Sequence, residues 1–173
     1  MNEYVCQTRR GVQHNLMVLD APTKFNLSAL KDANERAIHK CIGLSIETRP
    51  DYITLEEIIR LRKFGVTKVE IGVQSLNDAV MERIKRDRYK KETIEATRLL
   101  KDAGLKTAYH IMPNLPGETP EGDLQNFQEL FSDPNFKPDY LKIYPCVVLK
   151  NSMLYQEWTH GAYKPYESSV LDD

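Results

Sequence analysis

Long apolar runs are missing from this sequence. No stretch approaches the roughly 18 residues that a helical membrane span requires. The opening residues, MNEYVCQTRRGVQ, hold no apolar signal-peptide core. The expected location is the cytoplasm, with no membrane partner. Neither sign of charge is in excess. Lys and Arg number 24 against 25 Asp and Glu, a net charge of −1 at pH 7. That balance excludes a histone-like nucleic-acid coat, though not a local basic groove. Cysteine is scarce. Cys6, Cys41 and Cys146 are odd in number and far apart, which argues against a disulfide framework and against paired C-x-x-C ligands. The histidines His14, His39, His110 and His160 are equally dispersed, so no metal ligand is assigned. Walker, G-x-G-x-x-G, G-x-S-x-G and H-E-x-x-H motifs are all absent.

What is present is an ordinary globular mixture, 41% hydrophobic and 28% charged, in 173 residues. That length suits one domain. From Cys41 onward two periods alternate. Residues 41–47 (CIGLSIE), 66–74 (VTKVEIGVQ), 105–112 (LKTAYHIM) and the start of 139–149 read as buried strands. Helices are expected after 54, at 77–84, at 92–103, after 119 and from 152 to about 160. Ser28–His39 reads as another helix and Gln13–Leu19 as a further strand. Thr54 and Glu57 have capping-box spacing, with Leu55, Ile58, Ile59 and Arg62 following at helical spacing. Gly65 is placed to stop that helix. Thr119 and Pro120 open a helix whose apolar face is Leu124, Phe127, Leu130 and Phe131.

Strands and helices in alternation imply parallel pairing with right-handed crossovers. The predicted fold is therefore α/β, a partial TIM-type barrel of four to five βα units. A full barrel takes about 250 residues. The domain reading is an unassigned segment 1–27, a barrel portion 28–166 and a loose tail 167–173.

In such folds the chemistry gathers at the carboxyl ends of strands. Those ends carry Glu47, Gln74, His110, Lys142 and Tyr144, each in or just after an apolar run. Glu47 and Gln74 have the groups to bind a ribose or an amino-acid moiety. Glu70 alternates with Val69, Ile71 and Val73, and is expected to face the barrel interior or to pair with a basic residue. The run Arg83–Lys91 holds six basic residues and one acid. It reads either as a solvated connector or as a phosphate contact with Tyr89 free to stack.

Four strand-end motifs occur in order: Ile46-Glu47-Thr48-Arg49-Pro50-Asp51, Glu70-Ile71-Gly72-Val73-Gln74-Ser75, His110-Ile111-Met112-Pro113-Asn114-Leu115-Pro116-Gly117, and Leu141-Lys142-Ile143-Tyr144-Pro145. Together with Leu154-Tyr155, Trp158, Gly161, Tyr163, Pro165 and Tyr166, they resemble the radical S-adenosylmethionine domain of the Elongator catalytic subunit family. The resemblance spans about four-fifths of the chain, from Ser28 to Tyr166. It implies a partial TIM-type barrel using S-adenosylmethionine and a 4Fe–4S cluster. The implied substrate is the wobble uridine of tRNA, given a carboxymethyl-type group at carbon 5. The implied acyl donor is acetyl-CoA, supplied through a separate acetyltransferase domain. Elongator-like subunits or a missing N-terminal half are the implied partners. By the same likeness Glu47, Gln74, Arg86 and His110 bind the cofactor, and Lys142 and Tyr144 face the substrate.

Three features depart from the family. Its C-x-x-x-C-x-x-C cluster motif is absent, and no acetyltransferase sequence follows Tyr166. Its R-G-H-T reads Arg86-Asp87-Arg88-Tyr89 here. The chain thus resembles the later barrel portion of a longer enzyme, inactive by itself. The rival reading is a non-catalytic half-barrel that binds RNA or a partner. A third is a different partial-barrel enzyme with Glu47 and His110 as acid and base. A cut barrel also leaves an open strand edge, so dimerisation or aggregation through it is expected.

Overall fold

The structure is a computed structural model that describes residues 26–86 and 90–167. It divides into two units, with the boundary after Ala37. In the first, helix α1 (Leu27–Arg36) starts where the Asn26 side chain accepts the Ala29 N–H. The strand expected at 13–19 and the remainder of 1–25 lie outside the described residues. So do Asp87, Arg88 and Tyr89 and the tail from 168.

The second unit holds four strands: β1 (Ser45–Thr48), β2 (Lys68–Gln74), β3 (Lys106–Ile111) and β4 (Tyr140–Ile143). They pair in the order β1-β2-β3-β4, and every pairing is parallel. Helices α2 (Leu55–Phe64), α3 (Asp78–Arg83), α4 (Lys90–Asp102) and α5 (Pro120–Ser132) form the crossovers. Helix α6 (Met153–Thr159) follows β4. This is the expected α/β arrangement of successive βα units.

Local chemistry sets the ends of these elements. Thr54, Thr119 and Ser152 each accept an N–H from the first turn of α2, α5 and α6. Gly65, at φ 84°, closes α2 in the left-handed region that glycine tolerates best. Only half of the predicted capping box forms. The Glu57 carboxylate turns outward to Arg60, at 2.6 and 2.7 Å, instead of reaching back. The first strand is also shorter than expected. Residues 41–44 precede the ladder, and Leu44 meets β2 only through its carbonyl and the Thr67 hydroxyl.

One face of the sheet is apolar. Val69, Ile71 and Val73 of β2 and Tyr109 and Ile111 of β3 pack with Ile58, Leu61, Ala96, Leu100 and Leu130 of the helices. Side chains alternate across a strand, so the intervening residues point to the opposite face. That face carries Glu47, Glu70, Gly72, His110 and Lys142. Two helix faces differ from expectation. Leu61 is buried in α2 where Leu55 and Ile59 are exposed, and Leu124 and Phe131 of α5 are exposed while Leu130 is buried. A helix against a short sheet buries a narrow stripe, and the apolar flanks stay open.

Candidate cofactor and substrate site

The polar face of the sheet centres on Glu70, whose side chain is 4% exposed. Parallel register sets Glu47 beside Glu70 and His110 beside Lys142. Four donors converge on the Glu70 carboxylate. Ser45 Oγ lies 3.1 Å and Lys68 Nζ 2.7 Å from Oε1. His110 Nε2 lies 2.8 Å from Oε2, which Lys142 Nζ also contacts. Lys142 Nζ stands 3.6 Å from Glu47 Oε1 as well. Burial pushes the Glu70 carboxyl up, but Lys142, Lys68, His110 and Ser45 together outweigh it and hold the group well below the usual carboxylate range. Glu70 in turn raises the Lys142 ammonium above its ordinary value.

Next along the same face, β2 ends in an unusual turn. The ladder to β3 shifts register between Ile71 and Gln74, and Gln74 has a φ of 72°. Gly72 makes room here. A Cβ on it would stand 3.0 Å from Gln74 Nε2, 3.8 Å from Arg86 Nη1 and 3.8 Å from the Thr48 carbonyl oxygen. The Gln74 amide and the Arg86 guanidinium therefore reach over the bare Gly72 backbone. Beyond them, Tyr144 meets His110 edge to face, with ring centroids 5.7 Å apart.

Five of the six residues singled out by sequence thus fall into two adjoining groups on one face. Glu47, His110 and Lys142 gather about Glu70, and Gln74 and Arg86 meet over Gly72. Tyr144 flanks the first group. Glu70, expected to face the barrel interior or to pair with a basic residue, pairs with Lys68 and Lys142, although no ligand role was expected of it. A carboxylate inside an otherwise apolar strand was its signal, and the basic residues at 68 and 142 were its partners.

A second network ties the chain after α6 to the loop that follows β3. Asn114 is buried at φ 64°. Its N–H donates to Asp123 at 2.8 Å, and its carbonyl accepts the Tyr163 hydroxyl at 2.8 Å. Its Oδ1 accepts the Tyr166 N–H at 3.1 Å, and the Tyr166 hydroxyl donates to Asp123 at 3.0 Å. Burial pushes the Asp123 carboxyl up, the Asn114 N–H and Tyr166 hydroxyl opposing it.

Of the basic run, read either as a solvated connector or as a phosphate contact, two cations pair within the protein. Lys90 is paired with Glu129 at 2.7 Å. Arg83 lies against Gly117, within 3.8 Å of Glu157 and 3.5 Å of the Ala162 carbonyl oxygen. These cations hold α3 and α4 to later elements of the fold.

The donor set suits some ligands and not others. A carboxylate, a primary amide, a guanidinium and an imidazole beside a bare glycine backbone match the hydroxyls, amine and carboxylate of a nucleoside linked to an amino acid. Glu47, Glu70 and His110 also bring one ligand atom each within 4.8 Å of one another. The Lys142 ammonium already supplies the positive charge at that point, so the arrangement does not call for a metal ion. A 4Fe–4S cluster is held by several cysteine thiolates. Among the described residues the cysteines are Cys41, which is exposed, and Cys146, which is half-buried and whose thiol burial pushes up. They do not fit a cluster.

Comparison with known proteins follows the same lines. Residues 11–130 match the radical SAM superfamily, and residues 138–171 match the radical SAM C-terminal domain. The tRNA uridine(34) acetyltransferase of Methanocaldococcus jannaschii is 48% identical over 151 residues, covering 86% of this chain and 28% of that protein. Human Elongator complex protein 3 is 40% identical over 153 residues, covering 88% and 28%. The chain therefore spans about 28% of the length of these curated relatives. Among solved structures, the Methanocaldococcus infernus Elp3 with residues 1–46 deleted has a TM-score of 0.79 and 45% identity, over 83% of this chain and 34% of that one. The coproporphyrinogen III oxidase of Escherichia coli, a radical SAM enzyme, has a TM-score of 0.63 at 22% identity, a likeness of fold alone over 87% of this chain and 36% of that one.

Proposed function

The chain belongs to the radical SAM superfamily, and from that premise we propose that it is the later barrel portion, residues 28–166, of an enzyme that modifies the wobble uridine of tRNA. In this reading the product carries a carboxymethyl-type group at carbon 5. Acetyl-CoA is the acyl donor through an acetyltransferase domain, and the 173 residues do not turn over alone. The place of action is the cytoplasm, with tRNA and Elongator-like subunits as partners. The observation that carries the reading is that Glu47 and His110, about Glu70, and Gln74 and Arg86, over Gly72, fall into two adjoining groups on one sheet face.

S-adenosylmethionine, when bound, supplies the radical chemistry of the superfamily. The residues present serve to bind and orient it. Glu47 accepts from the ribose hydroxyls. Gln74 and Arg86 meet the polar groups of the methionine or of the ribose, and the bare Gly72 backbone lets the two side chains lie over it. Lys142 and Tyr144 face the substrate. The rival reading, an RNA-binding half-barrel, would draw on the basic run, where Arg83 and Lys90 have partners while Lys85 and Lys91 form no ion pair among the described residues.

Calorimetric titration of S-adenosylmethionine into the chain tests the proposal. The wild type binds, and Glu47→Ala and Gln74→Ala each weaken binding about fivefold, the worth of one net hydrogen bond of about 1 kcal/mol. Absence of wild-type binding overturns the cofactor reading. Unchanged affinity in Glu47→Ala overturns its ribose role.

A further inference from the structure

Glu70 is the most connected charged group of the sheet, yet it is not among the residues assigned to the ligand. Its role follows from a hydrogen-bond count. An ionised carboxylate only accepts. Four donors surround this one, and two of them are ammonium groups. The short contact from His110 Nε2, at 2.8 Å, must therefore carry its proton on the histidine. A neutral imidazole has one N–H. With Nε2 protonated, Nδ1 is left as a bare lone pair. Among the described residues Nδ1 has no hydrogen-bond partner, and the ring is 18% exposed. Its remaining neighbours are the Tyr144 ring, edge to face, and the Lys142 ammonium, which bonds the same carboxylate oxygen.

We propose that Glu70 is a positioning residue. It locks His110 as the Nε2–H tautomer and so sets Nδ1 as the acceptor that a hydroxyl or ammonium group of the bound ligand meets. The inference rests on the cofactor reading above only for the identity of that ligand. The tautomer itself follows from the protein. Without Glu70, Nε2 loses its anionic partner and either nitrogen can carry the proton. A ligand donor would then meet a protonated nitrogen in part of the population.

The test is a long-range proton–nitrogen correlation spectrum of the full chain labelled with 15N-histidine. It is recorded on the alkaline side of the His110 titration, with His110→Gln identifying the signal. A protonated-type Nε2 and a bare-type Nδ1 are expected. In Glu70→Gln the two shifts should move toward each other as the second tautomer appears. If Glu70→Gln does not fold, Glu70→Asp, with its carboxylate drawn back by one methylene, should show the same shift. A bare Nε2 with a protonated Nδ1 in the wild type overturns the proposal. So does a wild-type pattern retained in a folded Glu70 variant. Adding S-adenosylmethionine should displace the Nδ1 resonance more than the Nε2 resonance. Binding that leaves Nδ1 unmoved overturns the ligand contact. If S-adenosylmethionine does not bind but the Nε2–H tautomer holds, the cofactor reading fails and the hold of Glu70 on His110 stands.

Discussion

Removing the hub of the ion cluster should cost more stability than removing any spoke. Glu70→Ala deletes a carboxylate with four donors, at 4% side-chain exposure. A hydrogen bond to a charged group contributes about 1.5–3 kcal/mol. The sum is smaller here, because the Lys68 and Lys142 side chains are 31% and 36% exposed and regain water when released. Each lysine contact is therefore discounted toward the about 0–1 kcal/mol of a surface pair. His110, at 18% exposure, recovers less. The expected cost of Glu70→Ala is about 2–3 kcal/mol. That corresponds to roughly 5–10 °C in Tm for a domain of this size. In Lys142→Ala, Glu70 keeps Ser45, Lys68 and His110, and the loss should be about 1 kcal/mol. Thermal and denaturant unfolding of both variants and of the double variant measure the difference. The acid limb gives a second readout. Glu70 titrates below its ordinary 4.5 in the fold, so the unfolded chain takes up the proton first as pH falls. Its contribution is intact above that ordinary value and is lost as pH falls through the lower folded value. Glu70→Ala should flatten this part of the stability curve. Lys142→Ala as costly as Glu70→Ala, or an unchanged acid limb in Glu70→Ala, would refute the hub argument.

Three further outcomes follow from the fold. Tyr166→Phe removes the hydroxyl that bonds Asp123 at 3.0 Å. It should cost about 1 kcal/mol and speed proteolysis near residue 166, and unchanged cleavage would count against a clamp there. Anaerobic reconstitution should leave the chain with far less than the four irons of a 4Fe–4S cluster, whereas a full complement by iron and sulfide analysis would mean that Cys6, Cys41 and Cys146 converge. Strands β1 and β4 end the sheet among the described residues, so light scattering should show self-association that grows with concentration, and a monodisperse monomer at high concentration would contradict it.

The order of strands and helices was legible because each strand reads as an apolar run and several helix starts carry a capping hydroxyl. Thr54 and Thr119 cap where their sequence pattern placed them, and Ser152 caps the helix expected from 152. The misjudged features depend on partners distant in sequence. Glu57 had two outlets, and Arg60 one turn on took its carboxylate from the capping box. Leu55 and Ile59 keep helical spacing, yet their burial depends on what packs against α2, which spacing does not encode. The placing of Glu47, Gln74, His110 and Lys142 in or at the ends of strands was legible from the strand pattern. A basic partner for Glu70 was among the expectations, but the identity of the residues around it was not legible, because they come from all four strands. Ser45, Lys68, His110 and Lys142 meet only once the register is fixed.

That register also explains why so much charge lies inside the sheet. The inner face carries Glu47 and Glu70 against Lys68 and Lys142, two charges of each sign within linked contacts. A single buried carboxylate would be pushed toward its neutral form. A balanced set stays ionised and carries no net charge of its own. Such a layer fixes directions rather than attracting charge. The Glu70 carboxylate sets the His110 ring, Lys142 links Glu70 to Glu47, and Gly72 leaves the space that Gln74 and Arg86 occupy. Replacing the layer with apolar residues of equal volume would cost little stability and could raise it. Its value therefore lies in orientation, and the Glu70 variants should disturb the geometry of His110 before they disturb the fold.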